Sequence, residues 1–200
     1  MSEPQTTPDP GAEFRAYLVT AVVRLAPRSR QLMVTGLITI VLGMAAIAIV
    51  TQSRVLSLIP VGILMAIAAV LELGIGHNAR GDDARQTPWA RAGLLHIAAA
   101  LSAAASSFVP FQFFSGAIGL MILAAGIVHL RTDFALPING KSAVMPMASV
   151  VTTLIGLLIL TQWPAGNLQV LGVLIGVDLI VRGWSWIGFG SALRKGMNQR

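Results

Sequence analysis

Six apolar segments, grouped two by two, constrain this 200-residue chain more than any other feature of it. They cover residues 32–50, 55–75, 92–109, 111–130, 147–160 and 168–188. Each is near or within reach of the length that crosses about 30 Å of hydrocarbon. A backbone in that medium has no water to bond and must close its own hydrogen bonds as a helix. With 55% hydrophobic and 11% charged residues, little chain remains for a soluble domain. The expectation is an all-α polytopic membrane protein: six transmembrane helices in one domain over residues 32–190.

The flanks read differently. Residues 1–11 are polar, carry Pro4, Pro8 and Pro10, and form a disordered tail without a segment that a signal peptidase would process. The first span then acts as an uncleaved anchor. Within 12–31, Phe14, Tyr17, Leu18, Ala21, Val22 and Leu25 share one helical face, with Glu13, Arg15, Thr20 and Arg24 off it. That pattern predicts a short interfacial helix lying on the membrane surface, where anionic headgroups or a partner would meet its arginines. Residues 191–200 form a basic tail.

Charge sets the orientation. Arg15, Arg24, Arg28 and Arg30 precede the first span; Arg80, Arg85 and Arg91 separate the second from the third; Arg131 and Lys141 separate the fourth from the fifth; Arg194, Lys195 and Arg200 follow the last. The other side carries only Arg54. The positive-inside rule therefore places both termini in the cytoplasm and makes each hairpin start and end there. Trp89, Trp184 and Trp186 fall toward the inner boundary and Phe108, Phe111, Phe113, Phe114 and Trp163 toward the outer, as interfacial anchors.

Function classes narrow by exclusion. The net charge of +6 is interleaved with spans so apolar that it reports orientation and not a polyanion ligand, so no nucleic acid is expected. Zero cysteines rule out disulfides, iron–sulfur clusters and thiolate catalysis. Histidines 77, 96 and 129 offer no paired-ligand spacing, so no metal and no cofactor is expected. The connector 76–83 has glycines but lacks the strand, spacing and Lys of a phosphate loop. No nucleophile and base are visibly assembled, and a non-enzyme is expected.

The chain also repeats. A shift of 110 residues places Gly62 on Gly172, Ala66 on Gly176 and Glu72 on Arg182, and a shift of 57 places Gly119 on Gly176 and Gly126 on Gly183. The period is one hairpin, so three parallel two-helix repeats are expected, related about an axis along the membrane normal. Gly172 and Gly176 form a GxxxG, and Gly62 with Ala66 a small-xxx-small pair; in lipid, close backbone approach at such positions holds helices together. Packing within the chain is the expected use of these glycines, with the bilayer as partner and a homo-oligomer or membrane partner left open.

Residues 154–184, LIGLLILTQWPAGNLQVLGVLIGVDLIVRGW, closely resemble the HdeD-like membrane proteins in the small-residue turn at 164–166, the glycine-spaced return span (Gly172, Gly176, Gly183) and the acidic Asp178. The resemblance covers about residues 32–195, strongly in the last hairpin and loosely in the first two. It implies a bacterial inner-membrane protein of six helices in hairpin repeats, associated in some members with acid resistance. It carries over no catalytic residue.

The ionisable groups within the spans are Glu72, His96, His129, Asp178 and Arg182. Such groups are costly in hydrocarbon and normally face the bundle interior. Asp178 and Arg182 are four apart on one helix and pair locally, while Glu72 occupies in the first repeat the place of Arg182 in the third. The expected polar cluster is Glu72, Asp178 and Arg182, with His96 at similar depth; His129, next to Arg131, reads as a solvated interfacial histidine. The cluster either neutralises itself and sets helix register, or binds a proton or ion. Two functions follow: a non-enzymatic contribution to acid or envelope stress tolerance, or a small transporter or channel using the cluster.

Overall fold

The computed structural model describes residues 9–52, 57–80, 87–136, 144–162 and 167–198, which form a bundle of α-helices without a strand. In chain order these are α1 (Pro10–Leu25), α2 (Ser29–Gln52), α3 (Ile59–Arg80), α4 (Pro88–Ala104), α5 (Phe111–Ala135), α6 (Val144–Leu160) and α7 (Leu168–Asn198). The 3-10 turns Ala26–Arg28 and Ala105–Ser107 follow α1 and α4. Local chemistry sets the starts. Asp9 caps α1 by accepting from the Gly11 amide at 3.0 Å, and Pro10 opens the first turn, where no amide is needed.

Among the described residues, four helical runs are long and apolar enough to cross a membrane: Gly11–Gln52, Ile59–Arg80, Phe111–Ala135 and Leu168–Gly196. The other two helices of the bundle, α4 and α6, have 17 residues each. They rise about 25 Å, the short end of the spanning range. The outside of the bundle is apolar, with Leu37, Val41, Ile63, Val70, Leu101, Leu120 and Leu157 all exposed. A surface of that kind belongs in lipid.

Small residues pair the helices antiparallel. A Cβ on Gly36 would lie 2.5 Å from the Gly183 carbonyl oxygen and one on Gly43 2.6 Å from that of Gly176, which fixes α2 against α7. Gly172 takes Val50 in the same seam and Gly176 also takes Ile47. Gly62 lies against Ala100 and Ala103, and Gly76 against Ala90, joining α3 to α4. Gly119 meets Leu160 and Gly126 meets Thr153, joining α5 to α6. The starts of α2, α4 and α6 and the ends of α3, α5 and α7 therefore share one end of the bundle. That end, the basic end, carries Arg28, Arg30, Arg80, Arg91, Arg131, Arg194 and Lys195.

The described residues form two apolar cores. One, at the basic end, contains Leu18, Ala21, Leu25, Leu32, Ile75, Trp89, Met145, Trp186, Phe189 and Leu193. The other, toward the opposite end, contains Val50, Val61, Met65, Phe114, Ile118, Ile122, Ile155, Leu171 and Ile175. The first core shows where the amphipathic face of α1 goes: Leu18, Ala21 and Leu25 meet protein instead of headgroups, and the Arg24 guanidinium donates to the Arg80 carbonyl. It also corrects the aromatic belts. Trp184, Phe108 and Phe113 are exposed, but Trp89 and Trp186 are buried against Phe189 at ring distances of 5.9 and 6.1 Å, and Phe114 is buried too. Trp163, Arg54, Arg85, Lys141, residues 1–8 and the turn at 164–166 lie outside the described residues.

Candidate functional site

Between the two cores lies a polar layer, and the register of α3 against α4 builds half of it. Thr87 caps α4 by accepting from the Ala90 amide at 3.1 Å, and its hydroxyl donates to the Gly76 carbonyl at 3.1 Å. Gly76 admits Ala90 at backbone distance. One turn back along α3 is Glu72, which that register sets opposite His96 of α4. Glu72 Oε2 is 2.8 Å from His96 Nδ1.

The other helices complete the layer. From α5, His129 Nε2 lies 2.7 Å from Glu72 Oε1. From α7, Arg182 donates through Nη1 to Glu72 Oε2 at 3.2 Å, while its Nη2 is 2.8 Å from Asp178 Oδ2, one turn back on the same helix. The rings of His96 and His129 stack at 6.3 Å. His96 and Asp178 are fully buried and Glu72 is 2% exposed. Thus four helices bring two carboxylates, two imidazoles and one guanidinium into contact, in an interior where unpaired charge is expensive.

A second polar pair leads from this layer toward the basic end. One turn along α5 from His129, Asp133 accepts a short hydrogen bond from the Ser149 hydroxyl of α6. A cavity of about 20 Å³ touches His129, Asp133, Ser149, Thr152, Arg182 and Ser185, with Trp89 and Trp186 at its walls. Thr152 Oγ1 and Arg182 Nε have no hydrogen-bond partner among the described residues. The volume suits one water, and its lining is polar enough to hold it.

The ligand atoms of Glu72, His96 and His129 lie within 4.8 Å of one another, so three groups of metal-binding type converge although the spacing of the histidines does not reveal it. Arg182 opposes a divalent cation there, because its Nη1 approaches the same Glu72 oxygen as His96 does and a fixed positive charge repels another. The arrangement suits proton exchange among acids and bases better than metal ligation. Counting charges, the carboxylates of Glu72 and Asp178 outweigh Arg182 by one, and one proton on either imidazole closes the difference.

The structure brings Glu72, Asp178, Arg182 and His96 together, and adds one residue that sequence reasoning set aside. His129 is not a solvated interfacial side chain: it is 12% exposed and lies at ion-pair distance from Glu72. The signal for it was present, since the 57-residue shift that superposes Gly119 on Gly176 also carries Glu72 onto His129. Asp133 and Ser149 were missed as well; nothing in their linear spacing links α5 to α6. Gly62, Gly172 and Gly176 all sit in helix seams within the chain.

No protein-family model, curated protein or solved structure matches this chain.

Proposed function

We propose that the chain is a non-enzymatic, HdeD-like protein of the bacterial inner membrane that contributes to acid or envelope stress tolerance, with the Glu72–His96–His129–Asp178–Arg182 layer as its proton-binding element. The observation that carries this is a buried layer one positive charge short of neutral, containing two imidazoles, the side chains that change charge nearest neutral pH. The groups facing the imidazoles are Glu72 from α3, Asp133 from α5 and Asp178 and Arg182 from α7; α2 and α6 place no titratable side chain in the layer. We take the water-sized cavity between His129 and Asp133 as the point at which a proton enters the layer.

The same reading takes the bundle as six spans in three parallel repeats with both termini cytoplasmic. Supporting it, Glu72, His129 and Arg182 recur at intervals of 57 and 53 residues on α3, α5 and α7. Buried Thr39, His96 and Thr152 recur at 57 and 56 on α2, α4 and α6. The glycine seams join the second helix of each hairpin to the first of the next, and α7 back to α2.

Trp89 and Trp186 border the cavity beside His129, so their emission reports the layer. In lipid nanodiscs the emission of the intact protein should change between about pH 8 and 5, and His129→Gln with His96→Gln should remove the change. A deletion strain should lose acid survival, restored by the parent gene and not by the double variant. Unchanged survival on deletion, at every expression level tried, would end the stress-tolerance reading.

A second reading, a small transporter or channel, draws on the cavity at the edge of the layer. It requires a pH- or ion-driven flux in proteoliposomes that disappears with Asp178→Asn or Glu72→Gln; equal flux with and without protein counts against it.

A further inference from the structure

At the basic end, α1, α4 and α5 enclose a groove of about 780 Å³ outside the polar layer. Arg15 of α1, Arg91 of α4 and Arg131 of α5 line it, together with the apolar side chains of Phe14, Val128 and Phe134. The three arginines are exposed, and none forms an ion pair with a carboxylate among the described residues. They come from three elements that α1 brings together by burying Leu18, Ala21 and Leu25 in the bundle. Had α1 lain free on a lipid surface, Arg15 would not share a groove with Arg91 and Arg131.

The chemistry of this lining is specific. Guanidinium forks match phosphate oxygens in pairs, and guanidinium is weakly enough hydrated to do so beside apolar surface. A soluble phosphate compound has no use for a wall of Phe14, Val128 and Phe134. A phospholipid does, and from the groove onward α4 exposes Leu94 and Leu101 while α5 exposes Ile127 and Leu120. Basic pockets between helices at a membrane boundary suit anionic lipid headgroups.

We propose that this groove binds the phosphate headgroup of an anionic phospholipid, with Arg15, Arg91 and Arg131 on the phosphate and the outer faces of α4 and α5 along its acyl chains. A lipid with two phosphates engages all three arginines and binds more tightly than one with a single phosphate. Because α1 supplies one arginine and α4 and α5 the others, an occupied groove ties α1 to the bundle.

The full chain in detergent micelles, examined by native mass spectrometry, tests this. Cardiolipin should be retained over phosphatidylglycerol, and both over phosphatidylcholine. Arg91→Gln with Arg131→Gln should weaken cardiolipin binding about 25-fold, as each basic residue at an anionic lipid surface contributes about fivefold. Arg194→Gln with Lys195→Gln, which removes as much charge from the tail, should change it less than about twofold. All three arginines are exposed, so helix content by circular dichroism stays that of the parent. Equal cardiolipin binding by the groove variant, or an equal loss in the tail variant, overturns the site. Displacement of the lipid by inorganic pyrophosphate at matching concentration overturns the lipid as its occupant.

Discussion

Arg182 bridges the two carboxylates of the buried layer, Glu72 on α3 and Asp178 on its own helix. Replacing it with Gln leaves Asp178 without its cation and Glu72 with the two imidazoles alone. Since removing one partner of a buried ion pair typically costs about 3–5 kcal/mol, Arg182→Gln should lower unfolding stability by that order, measured by denaturation in micelles. Arg182→Lys should cost less, because it keeps the charge and loses only the fork that reaches two carboxylates. Glu72→Gln has a different outcome: the remaining Asp178 and Arg182 balance without a proton, so the pH response of tryptophan emission should shrink to what Asp133 beside His129 sustains, while the bundle stays folded. A response unchanged by Glu72→Gln would mean that the titrating groups lie elsewhere. The pairing of Asp178 with Arg182 was legible as an i, i+4 spacing, and that of Glu72 with Arg182 as a repeat equivalence. His96 and His129 reach the same carboxylate from helices whose rotation no local spacing reports.

Helix seams depend on a few glycines, and the glycines are not equivalent. A Cβ at Gly183 would lie 2.5 Å from the Gly36 carbonyl oxygen, where backbone faces backbone and no side chain can yield. Gly183→Ala should therefore separate α7 from α2 at a cost of about 1–3 kcal/mol. Gly74 and Gly116 have nothing among the described residues within 4 Å of an added Cβ. There Gly→Ala should raise stability by up to about 1 kcal/mol, because it removes backbone freedom from the unfolded chain and clashes with nothing. Thermal melting of the three variants side by side checks the contrast. Thr87→Val removes both the cap of α4 and its link to Gly76; a loss of about 1 kcal/mol is expected. Small-xxx-small motifs were visible along the sequence, but their partners were not. The motif at Gly62 meets α4, and the GxxxG of α7 meets α2, at the far end of the chain.

For the whole molecule, closure is the main fact: α7 returns to pack on α2, and α1 covers the basic end by burying its apolar face with Trp89, Trp186 and Phe189. The absence of cysteine from the sequence makes sidedness directly measurable. Phe108→Cys and Arg194→Cys place single thiols at exposed positions on opposite ends of the bundle. In intact cells an impermeant maleimide should label the first and not the second, and both after lysis. Labelling in the reverse sense would invert the topology expected from the arginines.

The sequence by itself determined the membrane class, the course of the helices and the end of the bundle that gathers the arginines, because hydrocarbon length, prolines and charge distribution are written along one dimension. It also singled out Glu72, Asp178 and Arg182, since an ion pair one turn apart and a repeat offset are linear relations. The burial of Trp89 and Trp186, the docking of α1, the recruitment of His129 and the meeting of Arg15, Arg91 and Arg131 were decided only by the tertiary structure. The physical reason is the solvent. When the surroundings are as apolar as the interior, hydrophobicity no longer tells a helix which face to turn inward, and the choice falls to backbone contact at glycines and to the pairing of buried charges.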